Sequence, residues 1–375
     1  MKKYEYWLVS MEAFGAGLAT RRKLKDTFYD ARGVYKAKTD ELRKVDGIKE
    51  EVIEEIIKHR LSEEELENNY RRLLKSGVRL ICEEDDDYPH RLKPIKNRPD
   101  VLFVKGRLPD ENKLTVSIVG SRHASAYGIK VTEYFTEGLV KKDVQIVSGM
   151  AYGIDSCAHK ISLEAGADTF AVMGCGIDIC YPAEKIGLYE RIKNSGGIIS
   201  EFPPKIPPLA YRFPMRNRII AGLSDIVIVV EARKKSGSLI TANHALEQGK
   251  DVYVVPGRID DLNSEGCNML WFDGAIPALN LETILEGAAF KKLLYIEETH
   301  SLNFSEKNSP EEKIILASKN DIVYSCLDLH PKGVEEIVKK TSISPEEVTL
   351  SLVEMQLEGK VEEVYRGFYI RKNRN

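Results

Sequence analysis

The sequence predicts a Rossmann-like α/β protein: a doubly wound, mostly parallel sheet over roughly 78–280, with a helical region before it and a winged helix after it. Three observations predict this. Apolar residues recur at helical spacing through the first 75 positions. From about 78 the pattern changes to short β-branched runs separated by helix-length amphipathic stretches. A polar stretch then precedes three more helical patterns and a terminal strand pair.

Within residues 1–75, Leu42, Val45, Ile48, Val52, Ile53, Ile56 and Ile57 recur at three- and four-residue spacing around Gly47. The VDGI turn between two helical patterns resembles a helix-hairpin-helix or SAM-like domain, a motif that elsewhere grips nucleic-acid backbone through glycine amides. Here the second helix opens with Glu50, Glu51, Glu54 and Glu55, which would repel phosphates. A structural or protein-contact role is therefore favoured over DNA binding.

The sheet region contains VRLIC (78–82), VLFVK (101–105), TVSIV (115–119), VQIVS (144–148), TFAVM (169–173), GIIS (197–200), DIVIVV (225–230) and DVYVV (251–255). Most of these runs are continuously apolar, as strands covered on both faces would be. Stretches such as GIKVTEYFTEGLVKK (128–142) and SLITANHALEQGK (238–250) supply the crossover helices. Residues 281–308 read as a linker. Over 309–375, three helical patterns and a strand pair predict the winged helix, and Ser344-Pro345-Glu346-Glu347 is a strong helix start.

Composition narrows the function. The chain has 375 residues, 55 basic and 58 acidic side chains and a net charge of −3, so any polyanion site must be a local patch. No apolar run approaches the roughly 18 residues of a membrane helix. Glu5 and Glu12 interrupt the start where a signal peptide would be apolar. Six scattered cysteines make no disulfide framework and no zinc set. The expectation is a reduced cytoplasmic protein without metal, cofactor or membrane association.

Rossmann-like sheets bind ligands outside the carboxyl ends of their strands, which directs attention to five loops. The first is Gly120-Ser121-Arg122, with glycine for close approach and arginine as a planar fork for phosphate. The second, SGMAYGID (148–155), contains Gly149 and Gly153 and enters a helix, presenting backbone amides to anions. The third, Gly174-Cys175-Gly176, lacks the last glycine of GxGxxG because Ile179 stands there, which weakens a nicotinamide or flavin reading. The fourth, residues 201–222, holds five prolines, then Arg212, Phe213, Arg216, Asn217 and Arg218. Six basic residues against two acidic ones between 210 and 235 give a local charge of +4. Arginines beside an exposed aromatic suit a phosphate backbone with a stacked base, although a solvated loop anchored by a buried Phe213 would read the same way. The fifth, Ser236-Gly237-Ser238, is an anion seat or simply a helix cap.

Catalytic constellations are hard to build. His159 and His244 are lone helical histidines, and no GxSxG or HExxH motif is present. Asp155 and Glu231 could form a carboxylate pair, which sequence cannot test.

Taken together, IVGSR (118–122), SGMAYGID (148–155), FPMRNRIIAGLSD (213–225), VVEA (229–232), SGSLITA (236–242) and VYVVPG (252–257) resemble, in order and spacing, the DNA-processing protein A (DprA, or Smf) family. The resemblance covers about 78–275. It implies a cytosolic, non-enzymatic protein that binds single-stranded DNA, dimerises, protects incoming strands in natural transformation and helps load the RecA recombinase. It implies a phosphate contact from Arg122, with Gly120 and Ser121 shaping its turn, and close backbone approach at Gly149 and Gly153. Phe213, Arg216, Asn217 and Arg218 would line a base-and-phosphate pocket beside Ser236, Gly237 and Ser238. Family members often carry a further basic residue before the FP pair; here Ala210 stands near that place, with Arg212 the nearest base. The acidic stretch SPEEVTLSLVEMQLEGK argues against tight duplex binding by the winged helix. Two alternatives remain: a nucleotide-monophosphate phosphoribohydrolase, although residues 236–244 lack its glycine pair and glutamate, and an interaction scaffold.

Overall fold

A computed structural model describes residues 1–287, 320, 323–324, 326–327, 332–341, 343–357, 359–365 and 367–371. The chain divides into two compact units, Met1–Ser301 and Leu302–Asn375.

The first unit opens with six helices: α1 (Lys2–Ser10), α2 (Leu18–Phe28), α3 (Ala31–Lys36), α4 (Thr39–Arg43), α5 (Glu50–Lys58) and α6 (Glu63–Lys75). Their apolar stripes meet in a core of their own around Trp7, Leu24, Leu42, Ile53, Ile56 and Leu66. Gly47 takes a positive φ of 70° in the α4–α5 turn, and Arg43 holds both Glu50 (2.9 Å) and Glu54. These helices are also joined to the sheet. Arg21 of α2 makes a buried, two-pronged pair with Asp100 at 2.9 Å per contact, and Val9 and Leu73 pack with Val101 and Phe103.

The sheet contains β1 (Arg79–Cys82), β2 (Val101–Gly106), β3 (Thr115–Val119), β4 (Gln145–Ser148), β5 (Thr169–Met173), β6 (Gly197–Ser200), β7 (Ile226–Val229), β8 (Asp251–Val254) and β9 (Ile276–Pro277). Their order is β1-β2-β6-β5-β4-β3-β7-β8-β9. From β6 to β9 neighbouring strands are parallel, while β1 and β2 add an antiparallel edge. All eight runs read from the sequence are strands. The two-residue β9 is an addition, too short to leave a pattern.

The helices are α7 (Ala126–Val140), α8 (Ile154–Glu164), α9 (Ile186–Ser195), α10 (Arg212–Gly222), α11 (Gly237–Glu247) and α12 (Glu265–Phe272). Period-two alternation in the strands supplies two cores. Val227 and Val229 join Ile219, Ile220 and Ala245 of α10 and α11. Ile226 and Ile228 join Phe135, Leu139 and Ile154 of α7 and α8. Covered faces explain why the strands read as unbroken apolar runs. No helix among the described residues is long and apolar enough to cross a membrane.

In the second unit, β10 (Lys332–Gly333) leads into α13 (Val334–Thr341) and α14 (Pro345–Leu357), and β11 (Val361–Tyr365) and β12 (Phe368–Arg371) follow. The three strands form an antiparallel sheet in the spatial order β10-β12-β11. Ser344 Oγ accepts from the Glu347 N–H at 3.4 Å, capping α14 at its predicted start. Most of the linker and of the first helical pattern of this region lies outside the described residues.

Candidate nucleic-acid interface

Successive strands β3 to β6 run one way across the sheet and β7 to β9 run the other, so connections diverge between β3 and β7. A crevice opens at such a switch point, beyond the carboxyl ends of the strands. Here it is a cleft of about 450 Å³. Gly120, Ser121 and Arg122 enter from β3, Phe213, Arg216 and Asn217 from α10, and Ser236, Gly237 and Ser238 from the start of α11. Nine of the residues singled out from the sequence therefore meet in one place.

Three helix N-termini come close to this region, and one of the protein's own carboxylates occupies one of them. Glu231, buried after β7, accepts from the Ser125 N–H (2.9 Å) and hydroxyl at the start of α7. Asp155, in the first turn of α8, accepts from Gly149 N–H at 3.1 Å and Ala151 N–H at 3.4 Å. Burial pushes the Asp155 pKa up, with Arg216 pulling it down. Glu231 therefore sits at the start of α7, whereas Asp155 ties down the loop before α8 and caps no helix. The third N-terminus, that of α11, has only the Ser236 hydroxyl, which accepts from Ser238 N–H at 3.4 Å. Its dipole is left facing the cleft, where an anion is favoured.

The cationic groups fall into two classes. Arg122 is exposed and lies with its guanidinium 5.8 Å from the Phe213 ring centroid. Arg233 and Lys235 are also exposed on the cleft wall. Arg216 instead is buried: it donates to the carbonyls of Gly149 (2.9 Å) and Val172 and to Asn217 Oδ1 (3.2 Å). Burial pushes its pKa down to about 10, against the pull of Asp155, so it remains charged at neutral pH. Gly149 is required beside it, because a Cβ there would lie 2.7 Å from Arg216 Nη2. Gly153 has φ +72°, and a Cβ would stand 2.2 Å from the Ser121 carbonyl. Gly153 does not line the cleft; it lets the α8 turn pack against the Arg122 loop.

The structure does not bring Arg212 or Arg218 into the cleft. Arg218 is buried in a two-pronged pair with Glu201, at 2.8 and 2.6 Å, and also donates to the carbonyls of Asn97 and Met215. Arg212 turns back onto Phe202 and Tyr211 and donates to the Pro207 carbonyl at 2.8 Å. Helix geometry is the reason for Arg218, which is two residues from Arg216, about 200° round the axis, so the two cannot share a face. Arg212, one turn before Arg216, is instead held away by the Pro207 carbonyl and the Phe202 and Tyr211 rings. Asn217 does serve the cleft, its amide donating to the Gly237 carbonyl at 3.1 Å and tying α10 to the start of α11. Ala210 lines the cleft without contributing charge.

The end of α10 is held as firmly. Lys250 Nζ donates to the carbonyls of Ala221, Gly222 and Ser224 at 2.5–2.7 Å, satisfying the C-terminal acceptors with a cation. Sequence reasoning missed His123 and Thr241 on the cleft wall, and Tyr152 and Tyr181 next to Phe213. Tyr152 sits inside the SGMAYGID loop, so its position was signalled even though its exposure was not.

Comparisons with known proteins agree with this architecture. The family model for DNA recombination-mediator protein A matches residues 79–289. Protein Smf of Escherichia coli K12 is 37% identical over 296 residues, covering 79% of this chain and 78% of that protein. The DNA processing protein DprA of Streptococcus pneumoniae R6 is 46% identical over 191 residues, covering 51% of this chain and 67% of that one. The crystal structure of Streptococcus pneumoniae DprA matches with a TM-score of 0.65 at 33% identity, over 76% of this chain and 98% of that one. A Helicobacter pylori DNA processing protein A structure, described for its single-stranded DNA binding mode, matches with a TM-score of 0.51 at 28% identity, over 57% and 96%. With the family model spanning the whole sheet that builds the cleft, the chain belongs to the DNA recombination-mediator protein A family.

Proposed function

We propose that this chain binds single-stranded DNA in the switch-point cleft and acts, without catalysing a reaction, as a cytoplasmic mediator that hands the strand to the RecA recombinase. The observation that carries the reading is the pairing of an exposed Arg122 with the Phe213 ring beside the free α11 N-terminus. A phosphate would sit at the start of α11, at the Gly237 N–H and the Ser236 and Ser238 hydroxyls, flanked by Arg122 and Lys235. The base would lie on Phe213. A duplex keeps its base faces stacked inside, whereas a single strand offers them, so this arrangement selects single strands. Homodimerisation and strand protection belong to the same proposal; the names of the relatives, a DNA processing protein and one described for its single-stranded DNA binding mode, support its strand-binding part.

Fluorescence anisotropy of a labelled single strand against the matching duplex, across a salt series, tests the reading. Strong preference for the single strand with affinity falling as salt rises is the expected result. Equal binding of both forms, or none of either, would overturn it.

A further inference from the structure

A second, smaller hollow shares Arg122, Ala151, Phe213 and Arg216 with the main cleft. At about 50 Å³ it is too small to enclose a base. Its walls, however, include Tyr152 and Tyr181, which are 43% and 40% exposed. Tyr181 packs on Phe213 with ring centroids 5.2 Å apart and planes inclined at 35°. A base cannot slide between them, since that needs two separations of about 3.5 Å each. The rings instead form a continuous aromatic ledge, with one part in the cleft and the next part outside it.

Tyr152 is fixed in place: its hydroxyl donates to Glu184 Oε2 at 2.7 Å, and Lys185 Nζ lies 5.8 Å from its ring. Arg122 lines both hollows, so its cation stands where the two parts of the ledge join. We propose that Tyr181, walled by Tyr152, is a second base-stacking subsite, which takes the nucleotide next to the one on Phe213 while Arg122 meets the phosphate between them. The inference rests on the single-strand reading of the main cleft and extends it from one nucleotide to two. Recognition there is through ring faces, which every base has, so the subsite is tolerant of sequence.

The test uses the full chain and labelled oligothymidylate. Tyr181→Leu keeps apolar bulk against Phe213 but removes the π face; Tyr181→Phe removes only the hydroxyl. Tyr181→Leu should weaken binding by roughly 5- to 150-fold, the range of one stacked base, with an unchanged salt slope. Tyr181→Phe should bind as the wild type does. Wild-type affinity in Tyr181→Leu, or an equal loss in both variants, would overturn the proposal. A measurement from the DNA side does not depend on how the variants fold. In wild-type protein, a strand with two adjacent bases among abasic residues should bind more tightly than one with a single base. No gain from the second base removes the subsite alone, whereas wild-type protein that holds no strand removes the single-strand reading and the subsite with it.

Discussion

Replacing Arg218 with alanine separates a structural arginine from a DNA-contacting one. Arg218 and Glu201 are 8% and 5% exposed, and the two hydrogen bonds between them are 2.8 and 2.6 Å long. Arg218→Ala would leave the Glu201 carboxylate buried without its counter-charge, and the Asn97 and Met215 carbonyls without their donor. Breaking one side of a buried pair costs about 3–5 kcal/mol. With a urea slope near 3 kcal/mol/M, the unfolding midpoint should fall by about 1–2 M. Tryptophan fluorescence is the suitable probe, because Trp7 and Trp271 both lie in the first compact unit and report it without the second. The double variant Arg218→Met, Glu201→Leu should recover most of the loss, since well-packed apolar replacement of a buried pair is often neutral or stabilising. Below the unfolding transition, Arg218→Ala should keep wild-type affinity for a single strand. Wild-type stability together with a loss of strand affinity would refute this reasoning and return Arg218 to the binding surface.

Three further outcomes are expected. Arg122→Ala should reduce single-strand affinity and flatten the log–log salt dependence by about 0.7, the share of one phosphate contact on a single strand; an unchanged slope would remove Arg122 from the phosphate path. Gly153→Ala should lower the melting temperature and strand affinity together, because strain at a positive φ costs about 1–3 kcal/mol and the added Cβ pushes on the Arg122 loop; a melting curve like that of the wild type would contradict the close packing. His159 gives a pH signature. Thr169 Oγ1 donates to the Ile146 carbonyl (3.0 Å), so His159 Nδ1 must be the donor in its 2.7 Å contact with that hydroxyl, leaving Nε2 as a buried acceptor without a partner. Burial, with Arg216 adding repulsion, pushes its pKa down to about 3. Between pH 6.5 and 3 the unfolded chain therefore binds the extra proton, and this residue's contribution falls with pH by about 1.4 kcal/mol per unit. His159→Asn should flatten the stability profile in that window, measured by urea unfolding at several pH values; an unaltered profile would refute the assignment.

Much of this molecule was legible in its sequence, for identifiable reasons. Strands such as β3, β5 and β7 are covered on both faces, and a covered strand must be written in unbroken apolar residues. The loops holding Arg122 and Ser236 were legible because the parallel sheet itself fixes where crevices open. The antiparallel edge formed by β1 and β2 was not, since strand direction depends on the path of residues 83–100, which carry no helical crossover pattern. Arg218 was misplaced because counting charge along the chain ignores the turn of the helix, and Arg212 because its fold-back onto Phe202 and the Pro207 carbonyl leaves no local pattern. Asp155 and Glu231 looked like a pair, but Asp155 holds the loop before α8 and Glu231 the start of α7. Whether Tyr181 is buried or exposed is decided by neighbours distant in sequence, and no local pattern records it.

Helix α10 is pinned along its length, by Lys250 at its end, by Arg218 and Glu201 on one side and by Arg216 beneath the loop carbonyls. Phe213 and Asn217 ride on that helix, so a strand bound in the proposed cleft would meet a shape the protein already holds, and little of the ordering entropy would fall on the protein's side. The conformational cost of the proposed association would then belong to the strand, which would have to unstack and extend to lie along the ledge. Thymidine runs stack weakly and adenosine runs stack well. A homopolymer preference for thymidylate over adenylate would thus originate in the ligand's own stiffness, with no atom of the cleft reading a base edge.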